Sequence, residues 1–141
     1  MEDFYPMPMF VNLDVSDPSL SAGWYQRALG FRELFRSGGD EPELIHLRRD
    51  RCQDLFLLRA EGGSKKSPAE GITIQFQAGA KGVAEIAAQA KIAGSSSVEG
   101  PVERPWNVRD VTIRDPDGYR LRFSEPIDVS KSFEEVMGDG D

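Results

Sequence analysis

The sequence predicts an α+β protein of two tandem βαβββ modules, whose curved mixed sheets face a shared cleft and whose helices cover the outer faces. Three observations favour this fold. Eight short segments have the character of strands, and two longer segments carry apolar residues at helical spacing. The order of strand, helix and three strands occurs once before residue 60 and again after residue 71. A run rich in glycine, serine and lysine separates the two copies.

The first module begins with a strand over residues 8–15, in which alternate residues are apolar. A helix follows, because Asp17 can cap its first turn, Pro18 suits its first position and Gly30 allows the chain to leave it. Its apolar stripe comprises Leu20, Trp24, Ala28 and Leu29. Three further strands are predicted over residues 31–37, 43–48 and 53–60.

The second module repeats this order. Residues 71–78 alternate as a strand, and residues 81–93 carry an apolar helical stripe that ends at Gly94. The segment Asp115-Pro116-Asp117-Gly118 has the composition of a tight turn between the last two strands. The three remaining strands are predicted over residues 97–104, 107–114 and 119–125.

These elements define a single domain over residues 1–126, followed by an acidic tail over residues 127–141. The domain divides into module one (7–60), a linker (61–70) and module two (71–126). The last 17 residues hold six acidic residues and one lysine, so they supply −5 of the net charge of −7. The nearly neutral body offers no basic surface for nucleic acid, and we expect no nucleic-acid partner.

The composition also argues against a membrane or secreted protein. No apolar run reaches the roughly 20 residues of a membrane span, and the first ten residues lack the basic start of a signal peptide. The single cysteine, Cys52, cannot form an internal disulfide, which is typical of the reducing cytoplasm. We therefore expect a cytoplasmic protein.

An alignment of the two halves predicts which sheet faces line the cleft. Placing Asp50 over Asp115 turns Leu57 toward the cleft and Phe56 toward the helix. The other residues expected on the cleft side include Phe10, Asn12 and Asp14 in the first strand and Thr73, Gln75 and Gln77 in its counterpart. The alignment therefore predicts a cleft of mixed polarity.

Several motifs resemble those of a known superfamily. The first helix of the superfamily is similar to the segment from Val15-Ser16-Asp17 through Trp24-Tyr25 to Leu29-Gly30-Phe31. The second half carries three further motifs: Trp106-Asn107-Val108-Arg109, Asp115-Pro116-Asp117-Gly118-Tyr119 and Phe123-Ser124-Glu125-Pro126. These motifs resemble the vicinal oxygen chelate superfamily, which comprises glyoxalases, extradiol dioxygenases, fosfomycin-resistance enzymes and bleomycin-resistance proteins. The resemblance covers residues 7–126 and implies the double βαβββ fold.

The resemblance also implies a divalent metal at four symmetric strand positions. Here these positions fall on Phe10, Leu57, Thr73 and Arg122. Two of the side chains are hydrocarbons, one is a weak neutral ligand, and the guanidinium would repel a cation. We therefore predict no metal and no other cofactor, so that the chain resembles the metal-free, bleomycin-resistance-like branch.

The sequence assigns no catalytic residue. His46 is the single histidine, and its neighbours two residues away on the strand, Leu44 and Arg48, are not metal ligands. Cys52 lies in a basic turn without a local histidine to activate it. Asp14 and Asp110 are conceivable ligands of a relocated metal, but the sequence does not bring them together.

The function that the resemblance implies is the binding of a small organic molecule, such as an antibiotic, in a metal-free cleft. A largely apolar cavity with a few fixed polar groups is typical of such a site. The residues expected to bind the ligand are Phe10, Asn12, Leu57, Thr73, Gln75, Trp106 and Arg122. Two alternatives stay open: a lyase, isomerase or dioxygenase-like enzyme acting on a small oxygenated substrate, and a regulatory or protein-interaction module with an empty cleft.

Two further expectations concern assembly and the tail. Half-barrels leave strand edges that need covering, so we predict a homodimer with the Pro6–Met9 arm near the partner. In the tail, residues 130–137 can form two helical turns with Phe133, Val136 and Met137 on one side. Because so short a helix is marginal alone, we expect it to persist only if this side packs on the body.

Overall fold

The computed structural model describes residues 4–61 and 71–138, which form eight strands and three α-helices in the predicted order. Most of the predicted linker, residues 62–70, lies outside the described residues. Module one contains β1 (Val11–Val15), α1 (Pro18–Leu29), β2 (Arg32–Ser37), β3 (Leu44–Arg48) and β4 (Asp54–Arg59). Module two contains β5 (Ile74–Gln77), α2 (Val83–Ile92), β6 (Val98–Arg104), β7 (Val108–Arg114) and β8 (Arg120–Pro126), and α3 (Phe133–Met137) follows in the tail.

Each module forms one four-stranded mixed sheet. The strand orders are β1-β4-β3-β2 and β5-β8-β7-β6, so the two sheets have the same topology. In each sheet the first strand is parallel to the last, and the other pairs are antiparallel. The predicted α+β fold with two tandem βαβββ modules is therefore confirmed. None of the helices in the described residues is long and apolar enough to cross a membrane.

The boundaries of α1 follow the predicted signals. The Asp17 side chain accepts a hydrogen bond from the Leu20 backbone N–H at 3.3 Å, and Pro18 occupies the first turn. Gly30 ends the helix with a φ of 76°, a left-handed conformation that glycine adopts without strain. Trp24 is buried as predicted, whereas Leu20 is exposed because it lies on the solvent side of the helix.

A continuous core joins the two modules. The helices α1 and α2 each pack on one face of the sheet of their own module, and α1 also packs on α2. A chain of aromatic contacts crosses the junction: the ring centroids of Tyr25 and Phe31 are 5.3 Å apart, those of Phe31 and Phe76 are 5.9 Å apart, and those of Phe76 and Phe123 are 5.0 Å apart. Because these rings come from both modules, each module stabilises the other.

Buried hydrogen bonds cross the same junction. The Tyr25 hydroxyl donates to Asp115 Oδ2 at 2.7 Å, and Asp117 accepts hydrogen bonds from the backbone and hydroxyl of Ser16 and from the hydroxyl of Ser21. Burial raises the pKa of the Asp115 carboxyl to about 6, although the hydrogen bond from Tyr25 opposes this rise. The Asp115–Gly118 turn thus connects α1 to module two.

The register of β4 corrects one part of the sequence alignment. In the parallel pair of β1 and β4, Leu13 lies beside Leu57, and both side chains are buried in the core. The opposite side of β4 carries Phe56. The halves therefore align with Cys52 over Gly118, the residues of positive φ in the two equivalent turns, rather than with Asp50 over Asp115. This shift of one residue exchanges the two faces of β4.

The tail does not pack as predicted. A capping box between Ser132 and Glu135 stabilises α3, but Phe133 and Met137 are exposed. The expectation that this helix persists only if its apolar side packs on the body is therefore wrong. The capping box holds the single turn although Phe133 and Met137 do not pack on the body. The tail is attached to the body earlier, where the Asn107 side chain makes two hydrogen bonds with the backbone of Asp128.

Candidate functional site

The open face of the module-one sheet carries a cavity of about 580 Å³, which we call the aromatic cavity. Its walls come from β2, β3 and β4, and the N-terminal arm, residues 4–10, covers part of it. The walls are mostly apolar, with His46 and Arg48 as the polar exceptions. The apolar lining consists of Phe4, Met7, Leu34, Phe35, Leu44 and Phe56, together with the ring of Tyr5.

Tyr5 attaches the arm to the sheet. Its hydroxyl oxygen accepts a hydrogen bond from the backbone N–H of Cys52 at 2.9 Å. The guanidinium groups of Arg48 and Arg51 lie 4.5 Å and 4.2 Å from the centroid of its ring. These cation–π contacts and the hydrogen bond hold the Tyr5 ring at the edge of the cavity.

A buried carboxylate organises the polar part of the aromatic cavity. Asp54 Oδ2 lies 2.6 Å from Nε2 of His46 and 2.8 Å from Nε of Arg48, and the side chain of Asp54 is fully buried. The second oxygen, Oδ1, has no hydrogen-bond partner among the described residues. Because both neighbours contact one oxygen, Asp54 fixes the orientation of the His46 ring and of the guanidinium.

Aromatic rings extend from this cluster toward the module junction. The ring centroids of His46 and Phe56 are 4.4 Å apart, and those of Phe56 and Phe10 are 4.9 Å apart. The interplanar angles are 31° and 30°, so the three rings form a tilted stack along the open face. This stack offers flat apolar contact beside the imidazole of His46.

A second cavity of about 330 Å³, the junction cavity, lies between the modules. It brings together Asn12, Thr73 and Gln75, three of the residues that the sequence assigned to ligand binding. Arg120 Nη1 donates a hydrogen bond to Thr73 Oγ1 at 3.1 Å, and Gln75 Nε2 donates to the Ser124 hydroxyl at 3.2 Å. The junction cavity thus has fixed polar groups on its module-two side.

The other predicted site residues do not join this group. Phe10 lies in the aromatic stack, whereas Leu57 is fully buried beneath α1, because β4 presents the opposite face to the cavity. Arg122 donates a hydrogen bond from Nε to Thr112 Oγ1 at 3.1 Å. Trp106 is half exposed in the turn between β6 and β7 and lines neither cavity.

The strand register corrects one of the four metal positions that the resemblance implied. Phe56, not Leu57, is the counterpart of Arg122, since each faces away from the helix at the equivalent point of its sheet. The corrected set of Phe10, Phe56, Thr73 and Arg122 still consists of two phenyl rings, a hydroxyl and a guanidinium. These groups do not fit a divalent cation. Among residues 4–61 and 71–138, no group of three or more histidine, cysteine, aspartate or glutamate side chains is placed to hold a metal ion.

Comparison with known proteins identifies the family. Residues 10–123 match the family model described as the Glyoxalase/Bleomycin resistance protein/Dioxygenase superfamily. The chain belongs to this superfamily. The match covers both modules, as the repeated topology of the two sheets requires. No curated protein matches the chain in sequence.

Several solved structures share this fold. TioX from Micromonospora sp. ML1 has a TM-score of 0.68 and 23% identity, over 88% of this chain and 98% of its own. TnmS3, an antibiotic binding protein from Streptomyces sp. CB03234, has a TM-score of 0.63 and 19% identity, over 89% and 98%. Lactoylglutathione lyase from Agrobacterium tumefaciens has a TM-score of 0.63 and 20% identity, over 86% and 94%. At these identities the likeness concerns the fold alone.

Sequence reasoning about this superfamily member missed the cluster of His46, Arg48 and Asp54. His46 pairs with Phe56 and Arg48 pairs with Asp54 across the β3–β4 hairpin. The available signal was the alternation of His46 and Arg48 before a tight turn, followed by an aspartate at the start of the next strand. A search for a partner two residues away along one strand does not detect a partner on the adjacent strand.

Proposed function

We propose that this protein binds a small, largely apolar organic molecule in the aromatic cavity. The observation that carries the proposal is the cavity itself: about 580 Å³, lined by aromatic and aliphatic side chains, with one imidazole and one guanidinium held in fixed orientations. Volumes of roughly 300–1,000 Å³ and a few fixed polar groups are typical of small-molecule sites. The antibiotic binding protein TnmS3, which has the same fold, supports this class of function.

The lining favours a flat ligand without a positive charge. The tilted stack of Phe10, Phe56 and His46 provides a surface for planar rings. The guanidinium of Arg51 lies beside the covering Tyr5 ring and disfavours a cation, whereas the charge of Arg48 is paired with Asp54. We propose that Asn12, Thr73 and Gln75 contribute from the junction cavity when a ligand is long enough to reach it.

Paired variants of two exposed phenylalanines test this site. Phe35 lines the aromatic cavity, whereas Phe133 lies in α3 outside it, and both side chains are more than half exposed. The probe is 8-anilinonaphthalene-1-sulfonate, a fluorescent aromatic anion. We expect Phe35→Ala to weaken its binding about three- to tenfold through lost ring contact. Phe133→Ala should leave the affinity unchanged, and neither exposed truncation should greatly alter thermal stability.

Equal effects of the two substitutions would contradict this location of the site. A complementary measurement is the mass spectrum of small molecules extracted from the purified protein before and after prolonged incubation. Recovery of a bound molecule unchanged supports a binding protein. Its conversion into a new product would instead support the alternative of a lyase, isomerase or dioxygenase-like enzyme.

We further propose that the protein is a homodimer and acts in the cytoplasm. Phe4 and Met9 are exposed on the N-terminal arm, an apolar surface that a second copy related by a two-fold axis would cover. The exposed thiol of Cys52 suits a reducing compartment.

Light scattering tests the dimer and should give twice the chain mass of 15.7 kDa. Phe4→Glu should shift the protein to the monomer and Phe133→Glu should not; a wild-type monomer at micromolar concentration would contradict the dimer.

A further inference from the structure

The cluster of His46, Asp54 and Arg48 determines which hydrogen bonds the aromatic cavity can offer. Asp54 is fully buried beside the guanidinium of Arg48, with 2.8 Å between Oδ2 and Nε. Oδ1 of Asp54 has no hydrogen-bond partner among the described residues, and Oδ2 accepts from the guanidinium, which can only donate. The same oxygen lies 2.6 Å from Nε2 of His46, so Nε2 must carry the proton of this contact.

For a neutral imidazole, this geometry also gives the tautomer. A neutral imidazole with its proton on Nε2 has a lone pair on Nδ1, which therefore acts as a hydrogen-bond acceptor. No described residue makes a hydrogen bond with Nδ1, and the His46 ring lines the aromatic cavity. The cavity thus presents one fixed acceptor beside the ring of Phe56, whose centroid lies 4.4 Å from that of the imidazole.

The surroundings select among the groups that can donate to Nδ1. An ammonium group is disfavoured because the guanidinium of Arg51 lies beside Tyr5 at the edge of the cavity, while the charge of Asp54 is already paired with Arg48. A carboxylate has no proton to donate. A hydroxyl group on an aromatic ring satisfies the acceptor and also stacks on Phe56.

From this geometry we infer that the cavity recognises a hydroxylated aromatic molecule, whose hydroxyl group donates a hydrogen bond to Nδ1 of His46. Asp54 is the positioning residue, because it fixes the tautomer that makes Nδ1 an acceptor. This inference rests on the proposed function, that is, on the aromatic cavity being the ligand site. It adds the chemical class of the ligand and the atom that recognises it.

Two probes of nearly the same shape isolate the hydrogen bond. 2-Naphthol carries the donor proton, and 2-methoxynaphthalene replaces that proton with a methyl group. We expect 2-naphthol to bind about three- to tenfold more tightly, the ratio that one net hydrogen bond supplies. His46→Phe keeps a ring against Phe56 and removes both nitrogens, so it should abolish this preference and the two probes should bind with equal affinity to within about twofold.

The single histidine makes the tautomer directly observable. In untagged protein labelled with ¹⁵N-histidine, the imidazole signals come from His46 alone. We expect a protonated Nε2 and an unprotonated Nδ1, and only 2-naphthol should shift the Nδ1 resonance toward that of a hydrogen-bonded acceptor. Asp54→Asn supplies an amide that can donate to Nε2. It should move the imidazole proton to Nδ1 and remove the preference for 2-naphthol, an effect that lost stability alone would not produce.

The outcomes separate this inference from the proposed function. Equal binding of both probes, or an Nδ1 resonance that neither probe shifts, would overturn the recognition of a hydroxyl group and leave the aromatic cavity as a ligand site. Binding that is insensitive to Phe35→Ala would instead place the probes elsewhere and contradict the proposed function. Failure of both probes to bind would overturn both.

Discussion

Buried charges are the most informative feature at the scale of single residues. Asp54 and Asp115 are both buried, but their environments differ. Asp54 is paired with Arg48, whereas Asp115 accepts its side-chain hydrogen bond from the neutral hydroxyl of Tyr25. Burial therefore raises the pKa of Asp115 from an ordinary value near 3.8 to about 6. Asp115 thus links the stability of the module junction to pH.

The first prediction concerns this pH dependence. Because the pKa of Asp115 is higher in the folded than in the unfolded protein, its protonation favours folding. Its contribution is complete below the unfolded pKa near 3.8 and is lost as the pH rises through about 6. Relative to Asp115→Asn, the wild-type free energy of unfolding should therefore gain up to about 3 kcal/mol between pH 7 and pH 4.

Urea titrations at several pH values measure this difference. Asp128→Asn is a control for which we expect the opposite pH dependence of the stability difference, because hydrogen bonds from Ser130 lower the pKa of the Asp128 carboxyl. The wild-type advantage over this second variant should shrink on acidification. A difference between wild type and Asp115→Asn that stays constant from pH 7 to pH 4 would contradict the assignment.

A second prediction concerns the metal positions. Phe10, Phe56, Thr73 and Arg122 supply a single neutral oxygen and a cation, so we expect no stoichiometric divalent ion. Elemental analysis of protein dialysed against zinc, nickel, manganese or iron salts and then against buffer should show well below one equivalent. One retained equivalent of any of these metals would contradict this prediction.

At the scale of elements, the tail shows where the folded body ends. Ile127 donates its backbone N–H to the Asn107 carbonyl, and the Asn107 side chain both donates to and accepts from the backbone of Asp128. Asn107 itself has a φ of 66°, a left-handed conformation that asparagine tolerates better than most residues. Beyond these bonds, α3 is a single exposed turn held by its capping box.

Nested truncations test this boundary, which is a third prediction. A chain that ends at Ser130 keeps all three hydrogen bonds with Asn107 and should lose less than about 0.5 kcal/mol of unfolding free energy. A chain that ends at Pro126 loses all three and should be destabilised by about 1–3 kcal/mol. Denaturant unfolding measures both. Equal stability of the two truncated chains would show that the Asn107–Asp128 bonds contribute little.

At the scale of the whole molecule, the modules are repeated in structure but share one core. The aromatic contacts from Tyr25 to Phe123 cross the junction, and so does Arg49. The Arg49 guanidinium donates hydrogen bonds to the backbone carbonyls of Gln77 and Ala78 and stacks on the ring of Phe123. Burial lowers the pKa of this arginine. Neither module can expose this junction without losing both apolar burial and hydrogen bonds.

We therefore predict that the two modules unfold together. The two tryptophans provide a reporter for each, since Trp24 lies in α1 and Trp106 between β6 and β7. In Trp106→Phe, fluorescence reports on module one, and in Trp24→Phe it reports on module two. For each variant, the fluorescence transition in urea should coincide with that of far-ultraviolet circular dichroism. Separate transitions would show that the modules are independent.

The sequence by itself determined the elements and their order. Local signals are sufficient for this, because a cap such as Asp17 and a terminator such as Gly30 act within one turn of helix. The repeat of these signals after residue 71 then indicated the double βαβββ topology. Among the predicted site residues, Asn12, Thr73 and Gln75 were brought to one cavity, because their strand positions depend on the short-range period of two.

Tertiary structure alone decided the face of β4 and the partners of its side chains. A register is fixed by pairing with neighbouring strands, and a shift of one residue moved Leu57 into the core and Phe56 to the aromatic cavity. The contact of His46 with Asp54 likewise joins adjacent strands across a hairpin. The hydrogen bond between Tyr5 and Cys52, which holds the N-terminal arm over the cavity, joins residues 47 positions apart. Such contacts depend on where the folded chain brings distant residues, whereas sequence periodicity reports only which side of its own element each residue occupies.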